Sequence, residues 1–288
     1  MKRTDSLIIL LLFISSLALY LRTLAPGLLF GDSAEFQTIA YTLGMGHPTG
    51  YAVYVANAKL ATLVPVGEIA YRVNLLSAFS ASLTVSLLYM IIRTLGPRPG
   101  AAFLPSITWA LVPLFWKYAC MAEVYSVSMA CLATILFSVL AWSKSKNTGW
   151  LFAAGALGGL SLGLHAMIAL LFPAILLYLG ITPASPKERR MDRAKAMVFG
   201  GTTGILIFLI LFLLLDQRDS PAGYYNSVVI PSLSAWGMKP VDFDSPLERF
   251  AFLFLPPQFR GQFGALPFPD AMTRFKDFIL NNASLLGF

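Results

Sequence analysis

The chain has 288 residues, 57% of them hydrophobic and only 12% charged, with a formal net charge of +7. A mean hydropathy of +0.71, with repeated apolar runs long enough to cross a hydrocarbon core of about 30 Å at about 1.5 Å per helical residue, marks an integral membrane protein. The positive balance does not indicate nucleic acid, because Lys and Arg fall in short patches between apolar runs and no nucleic-acid motif accompanies them.

The N-terminus, "MKRTDSLIILLLFISSLALYLRTLAPG", has the basic start and apolar run of a secretory signal. Its run is longer than a signal core and no small-x-small cleavage site follows, so it reads as an uncleaved first span. Further runs lie near 73–92, 101–116, 122–142, 149–164, 166–181 and 196–215. Backbone groups in lipid must be satisfied within the segment, so these runs are helices and the fold class is an all-α polytopic bundle of about seven spans. Cys120 and Cys131, on or beside one such run, would stand about 16 Å apart along a helix, too far to bridge.

The basic residues assign the sides. Lys2, Arg3, Arg93, Arg98, Lys144, Lys146 and the run "PKERRMDRAK" fall on one side if the N-terminus is inside. That parity requires residues 149–181 to cross twice, since one helix of that length would be about 50 Å long. The break falls at "SLGLHA" and puts His165 at an outer turn. Asp32, Glu35, His47, Lys117, Glu123 and His165 then share the outer face, although the topology is assigned from Lys and Arg alone. Ionisable groups at a membrane boundary are costly and so are functional candidates.

Each candidate also has a plain structural reading. Asp32 can cap the helix "SAEFQTIAYTLG" or accept a proton, and Glu35 follows one turn later on the same face. His47 in "GMGHPTGY" can be an ordinary loop residue, and Glu123 and His165 can pair with Lys117 or with backbone. Arg72 and Asn74 in "YRVNLLSAFSA" can mark the end of a span, yet an Arg there is placed for a phosphate.

The stretch "GDSAEFQTIAYTLGMGHPTGYAVYVANAKLATLVPVGEIAYRVNLLSAFSASLTVSLLY" resembles the N-terminal signature of GT-C type membrane glycosyltransferases, in the family that includes a eukaryotic transmembrane protein O-mannosyltransferase and many bacterial relatives. The resemblance continues through "AEVYSVSMACLATIL" and "GLSLGLHAMIALLFPAILL". It implies a GT-C-like helical bundle with outer-face loop helices, a polyprenyl-phosphate sugar donor, and transfer of mannose or another hexose to an acceptor hydroxyl on a protein or glycan. The implied location is a bacterial inner membrane, with the site facing the periplasm or exterior. Asp32 matches the expected base, with Glu35 its nearest competitor. His47, Tyr51, Lys59, Arg72, Asn74, Lys117, Glu123 and His165 are the substrate-binding candidates. Leu164 stands where relatives often carry Asn before the histidine.

The chemistry agrees with that implication. In an inverting transfer the acceptor hydroxyl attacks C1 opposite the leaving group, and one carboxylate takes its proton. A lipid phosphate leaves as a stable anion, so the second carboxyl that glycoside hydrolysis needs is dispensable. Cations around the phosphate complete the set, and Arg72, Lys59 and Lys117 are candidates. The sequence assigns no metal ligands and leaves a divalent metal requirement open. The rival readings are a proton- or solute-coupled transporter and a non-catalytic, truncated family member.

Residues 1–215 are thus expected to form the transmembrane core. Residues 216–288 are rich in Pro and aromatics and read as an outer segment with interfacial helices, one of them opened by the capping box Ser245 with Glu248 and Pro246 at its first position. Trp236, Arg249 and Arg260 are interface anchors or ligand contacts. The end, "FKDFILNNASLLGF", looks like the approach to another span, as in a truncated or split protein.

Overall fold

The computed structural model describes residues 3–183 and 189–254, together with 267, 269–270, 272–274, 276–277 and 280. The chain divides into two compact units, Met1–Pro240 and Val241–Phe288, so residues 216–240 fold with the core. Arg260 and most of the C-terminal stretch lie outside the described residues.

All regular structure among the described residues is helical. The first unit contains α1 (Arg3–Thr23), α2 (Asp32–Thr42), α3 (Ala52–Thr62), α4 (Ile69–Leu95), α5 (Pro99–Ala110), α6 (Pro113–Ala119), α7 (Val124–Ser145), α8 (Gly149–Leu160), α9 (Phe172–Ile181) and α10 (Arg190–Arg218). A π-helical turn at Tyr225–Val229 then leads into α11 (Ile230–Ser232). In the second unit α12 (Pro246–Phe254) opens with the expected box, Ser245 N–H and hydroxyl both donating to Glu248 at 2.8 Å.

Four helices, α1, α4, α7 and α10, are long and apolar enough to cross a bilayer, and the bent pair α5–α6 makes five. The expected count of about seven is not reached on that measure. The difference lies in residues 149–181, which form two short apolar helices, α8 and α9, joined by 3-10 turns around His165. They nevertheless run out and back. His165 lies near Tyr125 at the start of α7, with ring centroids 6.0 Å apart, while Tyr178 on α9 donates to Ser143 near the end of α7 at 2.9 Å.

Local chemistry sets the breaks. Pro113 at the start of α6 forces Val112 into an extended conformation, and the pair bends by 67°. Gly96, at φ 116°, ends α4 in the left-handed region that side chains avoid. The α8–α10 contact is closer than ordinary side chains permit. Gly155 and Gly159 on α8 face Gly200 and Gly204 on α10, so that a Cβ on any of the four would meet the other helix's backbone.

The basic face is tied by Asp5, only 2% exposed, which accepts from Arg93 Nε at 2.7 Å and from the Tyr89 hydroxyl at 2.8 Å. Arg193, counted above only as a topology charge, is buried. Its guanidinium donates to the Leu179 and Thr182 carbonyls at the end of α9 and lies over the Trp142 ring, satisfying carbonyls that the helix leaves unpaired. The opposite face carries α2, α3, the starts of α4 and α7, and the end of α10.

Candidate functional site

The site is built on α2. Ser33, Phe36, Gln37, Ile39 and Ala40 are its buried residues, an amphipathic spacing that turns one face inward. Phe36 anchors it against Tyr51 and Tyr54, with centroids 5.3 and 4.8 Å away, pairs worth about 0.5–1.5 kcal/mol each beyond area burial. Gln37 and Asn74 lock its position from behind. Gln37 donates to Asn74 at 2.9 Å and accepts from Leu29 N–H, while Asn74, fully buried, donates to the Ala25 carbonyl at 2.8 Å. Asn74 therefore fixes the helix that bears the site.

The capping alternative for Asp32 meets a clear geometric answer. Gly31 is the N-cap, with its carbonyl accepting from the Ala34 and Glu35 N–H groups, and no side chain caps the helix. Asp32 is exposed and its carboxylate accepts no hydrogen bond from the described residues. Glu35 is engaged through both oxygens, one taking the His47 backbone N–H at 2.7 Å and the other the His47 ring Nδ1 at 2.8 Å. This folds the "GMGHPTG" loop back over the start of α2. Asp32, Glu35 and His47 each place one ligand atom within 4.8 Å of the others, a spacing compatible with a divalent cation as well as with proton transfer.

Glu123 arrives from the start of α7. It is 8% exposed and accepts from the Ser33 hydroxyl at 3.2 Å. Burial pushes its carboxyl above the usual range and Asp32 adds to this, against the Ser33 hydrogen bond and the charges of His47 and Lys117. Lys117, near the end of α6, is exposed, and its ammonium donates to no described residue. Tyr51, packed on His47 at 4.9 Å, has its hydroxyl pushed up to about 12 by burial, with Tyr125 and the surrounding carboxylates adding. Burial lowers His165, whose ring accepts from Met167 N–H.

Two proposed cations sit elsewhere. Arg72 Nε, Nη1 and Nη2 donate to the carbonyls of Thr62, Val66 and Gly67, clamping the turn between α3 and α4. Lys59 donates to the Tyr41 carbonyl at the far end of α2. Ser33, Tyr125 and Tyr224 belong to the cluster but are not among the candidates read from the sequence. Tyr224 reaches His47, centroids 6.4 Å apart, because Gly223 lies against Gly44 and Tyr224 N–H bonds the Met45 carbonyl. A pairing across so many residues leaves no local sequence signal.

For His47, burial acts downward, but the hydrogen bond and charge of Glu35, with Asp32 and Glu123 adding, outweigh it and hold the imidazolium above its ordinary value of 6.5. The Glu35–His47 pair therefore contributes fully below that value and is lost as pH rises through the raised one. The thermal unfolding midpoint is expected to fall as pH rises above 6.5 and through the raised value, and His47→Gln is expected to flatten this component of the slope. An unchanged slope in the variant would show that the pair does not titrate in this range.

Residues 32–188 match the family model "Protein O-mannosyl-transferase TMEM260 N-terminal domain". The chain is similar to protein O-mannosyl-transferase TMEM260 of Mus musculus, 30% identical over 206 residues covering 69% of this chain and 29% of that protein. It is also similar to protein O-mannosyl-transferase tmem260 of Dictyostelium discoideum, 24% identical over 140 residues covering 48% of this chain and 17% of that protein. The chain thus spans less than a third of the length of these relatives. No solved structure matches it.

Proposed function

Because the chain belongs to the protein O-mannosyl-transferase TMEM260 N-terminal domain family, we propose that it is a membrane glycosyltransferase that moves mannose or another hexose from a polyprenyl-phosphate donor to an acceptor hydroxyl. The observation that carries this reading is the convergence of Asp32, Glu35, His47 and Glu123 from separate segments on one face of the bundle, within the residues that match the family.

The chemistry follows from the division of labour among the carboxylates. Asp32, exposed and unengaged, is the base. The acceptor oxygen bonds to C1 as the C1–O bond to phosphate breaks, the bonding pair leaves with the phosphate, and the hydroxyl proton passes to Asp32. Glu35 holds His47, and the His47 imidazolium supplies a positive charge beside the reacting centre. Lys117 is the cation best placed to steady the departing phosphate, since its ammonium is exposed, donates to no described residue and is felt by Glu123. Arg72 serves the site through its turn. His165 and Tyr125 border the far side and contact sugar or acceptor.

The acceptor is a protein hydroxyl, following the relatives' names. We read the membrane as a bacterial inner membrane and the face bearing α2 as its exterior or periplasmic side; the sidedness is supported by Arg93, Lys144, Lys146 and Arg190 lying at the other ends of their helices.

The test is incubation of the purified, lipid-reconstituted protein with polyprenyl-phosphate mannose labelled in the sugar and a panel of Ser- and Thr-containing peptides. Label is expected to leave the lipid and appear on peptide. Donor that stays intact with every acceptor would count against the transferase reading and favour transport or a non-catalytic role.

A further inference from the structure

A cavity lies at the other end of α2. It has a volume of about 670 Å³ and is lined by Tyr41, Thr42, Lys59, Arg218 and Ser220 among others. The carboxylates stand in the first turn of α2 and this cavity at its last turn, about 10–15 Å away along the helix axis.

Lys59 comes from the last turn of α3 and Arg218 ends α10. One donor of each is committed to the C-terminal carbonyls of α2: Lys59 Nζ to Tyr41 at 2.8 Å and Arg218 Nε to Thr42 at 3.0 Å. The two Nη groups of Arg218 and the other ammonium hydrogens of Lys59 donate to no described residue. These bonds fix both cations in place and leave their outward donors available, the geometry that favours charge-assisted bonds to phosphate oxygens. Ser220, 6% exposed, also lines the cavity, and its hydroxyl has no hydrogen-bond partner among the described residues. Asp216 and Asp219, which flank Arg218 in sequence, are not among the described lining residues, and Asp219 accepts from Asn226 at 2.7 Å.

Apolar side chains border the cations. Leu63, four residues after Lys59 and just past α3, is 67% exposed, and Leu214, one turn before Arg218 on α10, is 59% exposed. A free anion has no use for such neighbours; a phosphate attached to a hydrocarbon chain does.

We infer that Lys59 and Arg218 form a subsite for the phosphate of a membrane lipid, distinct from the carboxylate cluster, with the lipid chain lying along Leu63 and Leu214. The chemistry is a lipid-borne phosphate, supplied either by a glycerophospholipid or by a polyprenyl phosphate. The subsite does not depend on the transferase reading, because binding is measured without sugar transfer.

The experiment measures binding of phosphatidylglycerol, polyprenyl phosphate, phosphatidylcholine and inorganic phosphate to the full chain in detergent micelles by native mass spectrometry. Variants are Lys59→Gln, Arg218→Gln and Ala222→Glu. The last places a carboxylate in the cavity and keeps both cations with their α2 contacts, so it separates loss of binding from loss of fold. Phosphatidylglycerol or polyprenyl phosphate is expected to bind more tightly than phosphatidylcholine, and each variant to weaken that binding about tenfold. Whichever of the two binds more tightly identifies the source. Equal binding of inorganic phosphate, or equal lipid binding by wild type and Ala222→Glu, would overturn the inference.

Discussion

Replacing Asp32 by Asn is expected to slow sugar transfer by about 10²- to 10⁴-fold, the usual loss when a general base is removed, with donor and acceptor binding close to wild type. The substitution is nearly isosteric, and the structure assigns Asp32 no capping role, since Gly31 holds that position. A stability change large enough to explain the loss is therefore not expected. Turnover with lipid-linked mannose, read beside the thermal midpoint of the same preparation, checks both halves. Glu35→Gln is the matched comparison. It removes the charge facing His47 and loosens the loop at 47–50, so it should lower stability and reduce turnover less than Asp32→Asn does. If Glu35→Gln abolishes transfer while Asp32→Asn retains it, the base stands one turn further along α2.

The second large effect is structural. Gly204→Val is expected to destabilise the bundle by about 1–3 kcal/mol or more, because the new side chain must enter space filled by the backbone of α8 at Ala156 and Leu160. The helices would have to separate, and the 149–181 hairpin that carries His165 would move with α8. Gly201→Ala is the control three residues earlier. There the nearest atom to a new Cβ is the Gly155 carbonyl oxygen at 3.9 Å, an ordinary contact. A fall in unfolding midpoint for Gly204→Val with little change for Gly201→Ala would support close packing of α8 on α10. Equal behaviour would show that the two helices are not in backbone contact.

Much of the site is legible in the sequence because its acidic part is local. Asp32 and Glu35 share a helix face through their spacing, and His47 follows in the next loop. Glu123 and His165 are placed on the same face by counting spans from Lys and Arg, a reading that needs no contact information. Arg72 shows where such reasoning stops. Its position at the end of a span suits a phosphate, but the carbonyls of 62–67 that hold its guanidinium become its partners only when the turn folds. Arg193 is similar, since its place in a basic run marks it as a topology charge and only the fold brings it to the carbonyls at the end of α9 that it serves. Arg218 and Tyr224 meet α2 and its following loop across most of the chain, and no motif announces them.

Helix count is less legible in the sequence than helix identity. Residues 149–181 are apolar throughout, so hydropathy finds two spans there. The glycines that let α8 lie against α10, and the 3-10 turns at His165, leave helices of 12 and 10 residues.

The most direct measurement is the anomeric configuration of the product, determined by NMR on peptide glycosylated from a lipid-phosphate mannose of known configuration. A single displacement, with Asp32 as base and phosphate leaving, predicts a glycosidic bond of the opposite configuration to the donor. Retention would require a covalent sugar–enzyme intermediate on a carboxylate such as Glu35 or Glu123, and would contradict the mechanism proposed for Asp32.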